Sequence, residues 1–359
     1  MEEAKHITTT QGSDYSNPAG TRAKKNYSLR TGVIILICIL LLSAGIFLPS
    51  VFVFENDWNN ILQPPSSSHL LGTTPQGMDL LAGIIHGLST SLLVALCAVV
   101  LSTLIGLPLA LLASTNGNKG RAGIIHAIIF FIFVFLAWFY SFYVRRFSNE
   151  ESSTQILISI FLFVAIALAG FFFSKKIFSF SKNILPIKLP VDTLISTVAD
   201  IITSFPMLMI ILTIAAISKP SIQLVVIVIG CTTWTGIFRV VRSTSMQILQ
   251  QDFITAAKAM GISEARIIFK HLLPAVVPVL AVHLAFTFSA AIVLESSLTF
   301  LGAGLPVDTV TLGSLLADAK SNFNAWWLVV FPGTILFLLL LSLQLIASGL
   351  QKKFNPRLH

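Results

Sequence analysis

Long apolar runs separated by short polar segments form the main pattern of this 359-residue chain. Each run approaches or exceeds the roughly 20 residues that cross about 30 Å of hydrocarbon as a helix. The pattern predicts eight membrane spans, at residues 33–54, 88–114, 123–144, 154–174, 192–217, 222–238, 275–294 and 326–350.

A polar and charged stretch, Asp252–Pro274, separates the sixth span from the seventh, so it must lie in water at the end of two membrane helices. Asp252 can cap a short first helix, and Gly261 suits the left-handed residue that ends such a helix. Ser263 can cap a second helix that runs to Pro274. The small residues of its Ala-Ala-x3-Gly pattern would let another surface approach closely. A plain connector between helices is the alternative that composition leaves open.

Composition agrees with an integral membrane protein. The chain is 55% hydrophobic and 11% charged, whereas a water-soluble protein of this length carries roughly 25% charged residues. The three cysteines all lie in apolar runs and show neither a disulfide framework nor zinc spacing, so no metal site is predicted. We interpret the net charge of +8 as a topology signal, and no nucleic-acid partner is expected.

The distribution of basic residues predicts the orientation. With the N-terminus inside, 19 Lys and Arg fall in inner segments and four fall outside, namely Arg145, Arg146, Lys219 and Lys320. Inner loops of membrane proteins carry the excess of basic residues, so both chain ends and the Asp252–Pro274 stretch are predicted to be cytoplasmic.

Motifs for nucleotide binding or catalysis are absent from the sequence. It contains no G-x4-G-K-[ST] phosphate loop, so this chain is not expected to bind ATP by itself. It also lacks a dinucleotide-binding Gly-x-Gly-x-x-Gly turn, an H-E-x-x-H zinc motif and a G-x-S-x-G nucleophile elbow. We therefore predict no catalytic residue, no cofactor and no metal ligand.

The stretch Asp252–Pro274 resembles the EAA motif of binding-protein-dependent ABC importer permeases. Residues 256–261 match its Ala-Ala-x3-Gly part and residues 271–274 match its closing His-x-Leu-Pro, while Thr255 stands where the first Glu is usual. Further blocks resemble the C-type subunit of the dipeptide/oligopeptide/nickel branch. They lie at 69–79, 295–302, 331–333 and 355–357.

The resemblance implies an all-α polytopic membrane protein with the type I ABC importer permease fold and both termini cytoplasmic. The family core has six helices, so about eight are expected here, with an inserted transmembrane hairpin. The implied division is a cytoplasmic tail 1–31, the first two spans with an outer loop 32–118, the hairpin 119–190, a core 191–350 with a coupling loop 239–274, and a tail 351–359.

The resemblance also implies the function and the partners. This chain would form half of a translocation path for di- and oligopeptides or related small solutes in a bacterial inner membrane. The implied partners are a second permease chain in a heterodimer, two ATP-hydrolysing subunits, an extracytoplasmic solute-binding protein and the lipid bilayer. The residues expected to couple to the ATPases are Ala256, Ala257, Lys258, Gly261, Glu264, Arg266, His271 and Pro274.

Ionisable residues within the spans are further candidates. Asp200 and His283 are costly in lipid, so they should face the protein interior or the pathway. A satisfied hydrogen bond between helices is the alternative for both. Glu295, at the outer end of the seventh span, could touch the pathway, contact a partner chain or hold the outer loop. The block His69–Asp79 is expected to shape the outer loop at which the solute-binding protein docks.

Two other function classes remain open from the residues themselves. A secondary transporter driven by an ion gradient would need intramembrane ionisable residues in paired repeats, and Asp200 and His283 are few and unpaired. An intramembrane enzyme would need a nucleophile and a base on facing spans, and no motif marks such a pair. Co-purification of an ATPase with a phosphate loop distinguishes the importer from both.

Overall fold

The computed structural model describes residues 27–43, 59–116, 191–306 and 308–354, and within these ranges the regular elements are helices and one isolated bridge between Thr73 and Asp79. The helices are α1 Tyr27–Ser43, α2 Leu80–Asn116, α3 Val191–Ser204, α4 Met207–Ile217, α5 Ile222–Leu249, α6 Asp252–Ala259, α7 Glu264–Ile267, α8 Leu273–Phe300, α9 Leu312–Asp318 and α10 Trp327–Phe354. A π-helical turn, Ile268–Leu272, joins α7 to α8, and a short 3-10 turn follows α9.

Four helical stretches in the described part of the chain are long and apolar enough to cross a membrane. They are Leu80–Thr115, Ile222–Leu249, Glu264–Phe300 and Trp327–Phe354, and the bent pair α3–α4 makes a fifth if it is counted as one span. α1 is apolar but has only 17 residues. The prediction of an all-α polytopic membrane protein is confirmed, while the predicted spans at 123–144 and 154–174 lie outside the described residues.

α2 and α5 form the centre of the bundle and run in the same direction. Gly230 of α5 lies against Leu101, and Gly106 of α2 lies against Trp234 and Ile237, so the two backbones approach closely. Small and β-branched side chains fill much of the remaining contact, among them Val94, Ala95, Ala98, Val99, Val225 and Val228.

The other helices pack around this pair. α8 contacts α2, α5 and α10, and α1 lies along α10 in the opposite direction, with Gly32 against Ser342 and Gly349 against Leu29. We call the end of the bundle that carries α6 the α6 end, and the opposite end, which carries α9, the α9 end. α2, α5 and α10 run from the α9 end to the α6 end, whereas α8 returns to the α9 end.

Two predicted spans begin or end at the wrong residue. α2 starts at Leu80 rather than at residue 88, because Leu80 and Ile84 are buried in a cluster with Leu315 and Leu328 at the α9 end. α5 continues past residue 238 to Leu249, through the first part of the predicted coupling loop 239–274.

The structure also differs from the sequence prediction in where two helices are interrupted. The predicted span 192–217 is interrupted between α3 and α4, where the chain bends by 78° at Pro206. Proline lacks the backbone N–H that would continue the helix. Pro274 does not end a helix as predicted: it is the second residue of α8, just after the π-helical turn, and helical structure continues from Glu264 to Phe300.

Candidate functional site

The Asp252–Pro274 stretch forms a short helix, a tight turn and the beginning of a long helix. α6 ends in a Schellman motif: the N–H of Gly261 donates to the carbonyl of Lys258 (3.0 Å) and the N–H of Ile262 to that of Ala257 (3.1 Å). Gly261 has φ +78°, a left-handed backbone conformation that residues other than glycine adopt at a cost in free energy. The prediction that Gly261 ends this helix in the left-handed conformation is confirmed.

Both predicted helix caps differ in detail. Gln251, not Asp252, is the N-cap of α6, and Asp252 is its first helical residue. The negative carboxylate of Asp252 there stabilises the positive end of the helix dipole. Ser263 does occupy the N-cap of α7, but its side chain makes no capping hydrogen bond. Its backbone carbonyl accepts from the N–H of Ile267 (3.1 Å) instead.

The predicted small-residue face of α6 is only partly exposed. Ala257 is buried together with Ile254, three residues earlier on the same side of the helix, whereas Ala256 and Gly261 are exposed. In this structure the side chain of Ala257 is covered by the chain itself, and its contact with a partner surface stays a prediction. A Cβ added to Gly261 would have nothing within 4 Å, so the space around this turn is open.

Large apolar side chains surround this turn without cover from the described residues. Met260 is 73% exposed, Phe269 70% and Phe253 47%. The other predicted coupling residues lie around them: Lys258, Glu264, Arg266 and Pro274 are exposed, and the half-buried ring of His271 lies 6.0 Å from that of Phe253. We call Phe253, Ala256, Met260, Gly261 and Phe269 the α6 patch. Exposed apolar patches rimmed by charge are typical of protein interaction sites.

Two ion pairs join α3 to α5 near the α6 end. The guanidinium of Arg242 donates from Nε and Nη2 to the two carboxylate oxygens of Asp192, and both side chains are largely buried. Arg239 donates from Nη2 to Asp200 Oδ1 (2.8 Å) and to Thr203 Oγ1 (2.6 Å). The sequence predicts that Asp200 faces the interior or the pathway, or makes a hydrogen bond between helices. Its side chain is 68% exposed, and the ion pair with Arg239 on α5 offsets the cost of its charge.

A cavity of about 510 Å³ opens beside the bend between α3 and α4. Its walls come from this bend, from α5 and from α8, and include the predicted pathway residue His283. The other polar side chains of the wall are threonines, and the apolar side chains include Phe205 and Phe286, which are exposed at the rim. Asp200 is not part of the wall but is joined to it through Arg239 and Thr203.

Glu295 lies away from this cavity, at the α9 end, where α8 packs against α2 and the start of α9. Its side chain is fully buried, and the hydroxyl groups of Ser91, Ser296, Thr299 and Thr311 surround its carboxyl group. Within the described part of the chain, no Lys, Arg or His pairs with it. A solute cannot reach Glu295 in this structure, so its contacts support the loop-holding role rather than the pathway role.

The His69–Asp79 block forms a compact turn before α2. His69 Nδ1 and Asp79 Oδ2 are 3.0 Å apart, and Asp79 Oδ1 accepts from the N–H of Leu81 (2.8 Å), which caps α2. The indole N–H of Trp327 donates to the carbonyl of Thr73 (3.1 Å). The block thus fixes the entry into α2 against the start of α10.

Sequence reasoning missed the basic partners and the threonine wall. Arg239 and Arg242 were counted only as inner charges, although their spacing of three residues places them on one side of a helix. Two aspartates in an otherwise apolar run were the available signal, because such carboxylates require partners. The threonines carry no motif, and only the packing of three helices brings them together.

Comparisons with known proteins agree with this geometry. Residues 185–359, which contain α3 to α10, match the family described as binding-protein-dependent transport system inner membrane component. A putative peptide transport system permease protein of Brucella abortus is 26% identical over 341 residues, covering 94% of this chain and 90% of that protein.

Two further relatives match over similar lengths. The oligopeptide transport system permease protein of Mycobacterium tuberculosis is 28% identical over 334 residues, covering 91% of this chain and 90% of that protein. The dipeptide transport system permease protein of Alkalihalophilus pseudofirmus is 28% identical over 339 residues, covering 93% and 88%. The matches thus extend well beyond the segment that carries the family similarity.

Proposed function

This chain belongs to the inner-membrane permease subunits of binding-protein-dependent transport systems, and from that premise we propose that it carries peptides through one half of an ATP-driven importer. The relatives that match along most of the chain are named for the transport of peptides, oligopeptides and dipeptides. The cavity at the α3–α4 bend, with His283 in its wall, is the proposed segment of the solute path.

The α6 patch is the proposed docking site for an ATP-hydrolysing subunit. Phe253, Met260 and Phe269 supply apolar area that binding would remove from water. Ala256 and Gly261 carry almost no side chain, so a partner can approach the backbone closely. The exposed Lys258, Glu264 and Arg266 are placed at the rim for charged contacts, and His271 and Pro274 extend the contact toward α8.

The observation that carries the coupling proposal is the continuous helical stretch from Glu264 to Phe300, which includes the π-helical turn Ile268–Leu272. Its first part contributes Phe269 to the α6 patch, and His283 lies further along the same stretch in the cavity wall. A displacement of α6 on closure of the ATPases would therefore reach the cavity through one continuous helical stretch. Rigid-body shifts of packed helices are an established form of such transmission.

The remaining assignments follow from the family and from the charge distribution. We assign the α6 end and both termini to the cytoplasm, because the basic residues concentrate there. The α9 end then faces the solute-binding protein. A second permease chain completes the path in a heterodimer, and two ATPases bind from the cytoplasm. We retain about eight spans, with residues 119–190 as a hairpin added to a type I core 191–350.

Replacing Gly261 by Glu tests the docking proposal. The side chain would stand in the open space at the α6 patch, so we expect ATP-driven uptake to be abolished and the ATPase no longer to co-purify, with an unchanged amount of protein in the membrane. Gly302→Glu is the matched control for co-purification of the ATPase, because Gly302 has φ +79° and open space but lies at the α9 end. Normal uptake by Gly261→Glu would contradict the proposal.

The cargo requires a separate experiment. In a strain that lacks this gene, we expect restored expression to return the uptake of labelled di- or oligopeptides that depends on ATP. Competition among unlabelled peptides of different lengths would then define the preferred length. Restored uptake of another small solute, with none of any peptide, would refute the peptide assignment while leaving the permease role intact.

A further inference from the structure

The threonines of the cavity wall share one hydrogen-bonding arrangement. Each hydroxyl donates to a backbone carbonyl of its own helix: Thr232 to Val228 (2.8 Å), Thr233 to Ile229 (2.8 Å), Thr235 to Thr232 (3.3 Å) and Thr287 to His283 (3.0 Å). Thr203 does the same toward Ala199 (2.9 Å). This back-bonding is common for threonine within helices.

The consequence concerns which groups the wall can offer to a ligand. A hydroxyl group has one hydrogen and two lone pairs. When the hydrogen is held by a backbone carbonyl, the oxygen presents only lone pairs to the cavity. The threonine wall is therefore a set of hydrogen-bond acceptors without matching donors. His283 is the other polar side chain of the wall, and a neutral imidazole can offer one donor and one acceptor.

One contact within the protein already uses this property. Arg239 donates to Thr203 Oγ1 at 2.6 Å, so a cationic N–H group occupies the acceptor at the edge of the cavity. Thr233 on α5 and Thr287 on α8 line the same cavity from two different helices. The cavity volume of about 510 Å³ lies within the range of sites for small molecules, about 300–1,000 Å³.

We infer that this wall is a binding subsite for N–H groups, and that it holds the backbone amides of a passing peptide through threonine oxygens. The inference rests on the proposed peptide function and adds the recognised chemical group to it. An amide N–H that leaves water without a new partner is strongly penalised, and the threonine oxygens supply that partner without contacting the side chain of the peptide. Such a subsite accepts peptides of many sequences.

The test uses the complete importer and two forms of one cargo. The probes are the labelled peptide that the wild-type importer takes up best and the same peptide methylated on its amide nitrogens. The variants are the double replacement Thr233→Val with Thr287→Val and the corresponding double replacement by serine. Valine keeps the shape and removes the oxygen, whereas serine keeps the oxygen. Thr213→Val is the control, since its hydroxyl makes the same type of bond, to Met209 (2.8 Å), but lies outside the cavity wall.

Wild type should lose uptake on methylation of the peptide. We expect the valine variant to take up the unmethylated peptide roughly three- to tenfold more slowly and to show a much smaller loss on methylation. The serine variant and Thr213→Val should behave as wild type. Effects of methylation on the solute-binding protein are common to all variants and cancel in the comparison.

A methylation loss that is equal in wild type and in the valine variant would overturn the subsite. Reduced uptake of both peptide forms by the valine variant, with an unchanged methylation ratio, would overturn it as well. Failure of the wild-type importer to take up any peptide would instead refute the proposed cargo, so the two failures are distinguishable.

Discussion

Asp192 receives two hydrogen bonds from the single guanidinium of Arg242, which clamps the first turn of α3 to α5. The pair is largely buried, with side-chain exposures of 14% for Asp192 and 29% for Arg242. The second pair between the same helices, Asp200 with Arg239, is exposed and uses one carboxylate oxygen. The two pairs therefore differ in burial and in geometry while joining the same elements.

The first prediction is that Asp192→Asn destabilises the protein far more than Asp200→Asn. Removing one member of a buried pair leaves a desolvated charge and typically costs about 3–5 kcal/mol, a range that partial exposure reduces. Exposed pairs contribute about 0–1 kcal/mol. Thermal unfolding of the purified protein in detergent measures both changes.

Arg242→Lys is the companion variant for this prediction. Lysine keeps the charge but loses the planar two-point geometry, so we expect an intermediate loss of stability. The exchange Asp192→Arg with Arg242→Asp should recover part of the loss. Equal melting temperatures for Asp192→Asn and Asp200→Asn would show that the buried pair contributes no more than the exposed one.

Hydropathy predicted most of the described spans but not where they break. A transfer scale registers apolar length, so it gave one span at 192–217 and could not locate the 78° bend at Pro206. Hydropathy also ends the sixth span at the first arginine, because the scale contains no information on ion pairs. Arg239 and Arg242 have carboxylate partners on α3. Ends that depend on partners elsewhere in the chain require tertiary structure.

The candidate site was predictable to the extent that it depends on local conformation. The left-handed Gly261 follows from the residue type and from the helix before it. The burial of Ala257 was missed because a family pattern of small residues was treated as one surface, although the spacing of Ile254 and Ala257 already pointed to a common buried side. The threonine wall and the surroundings of Glu295 depend on contacts between distant segments.

The second prediction separates docking from folding at two neighbouring alanines. Ala256 is exposed and Ala257 is buried, so a glutamate introduced at each position meets a different environment. We expect Ala256→Glu to leave thermal stability nearly unchanged but to prevent co-purification of the ATPase. Ala257→Glu should lower the melting temperature and the amount of protein in the membrane, because a carboxylate would be buried without a partner.

Serine at the same two positions provides the control for size. Ala256→Ser and Ala257→Ser add one small polar group each, and only the buried position should lose stability. If Ala256→Glu retained full ATPase binding and uptake, the α6 patch could not be the docking site that we propose.

The third prediction concerns pH and the short helix at the α9 end. Burial raises the pKa of the Asp318 carboxyl group above its ordinary value of 3.8, and a hydrogen bond from Gln76 Nε2 (3.3 Å) partly offsets that rise. The folded protein therefore favours protonated Asp318 more than the unfolded chain does. The contribution of protonated Asp318 to the free energy of unfolding is complete below pH 3.8 and is lost as the pH rises through the raised pKa.

Asp318→Asn should remove the part of the pH dependence of stability that arises from Asp318. We expect the variant to gain melting temperature relative to wild type as the pH increases from about 3.8 toward neutrality, with the smallest difference at the acid end. Gln76→Ala removes the hydrogen bond that lowers the pKa of Asp318, so the loss of stability should extend to higher pH. A difference between wild type and Asp318→Asn that did not vary with pH would contradict this account.

The last prediction assigns Glu295 a role in holding α9 rather than in contacting solute. Thr311 belongs to the hydroxyl groups around its carboxyl and is the N-cap of α9, where its side chain accepts from the N–H of Ser314 (3.1 Å). Glu295→Gln keeps two polar atoms of nearly the same shape, so stability and uptake should change little. Glu295→Leu removes the carboxylate acceptor of the Ser296 hydroxyl (3.3 Å), and an unsatisfied buried group costs about 1–3 kcal/mol.

The two replacements distinguish a structural role from a solute contact because they affect different measurements. In the structural role, Glu295→Leu lowers the melting temperature and exposes the segment 308–321 to protease, while the cargo concentration at half-maximal uptake by the remaining folded protein is unchanged. In the solute role, Glu295→Gln already alters that concentration without a change in melting temperature. We expect the pattern of the structural role, because Glu295 is fully buried at the α9 end and is not part of the cavity wall.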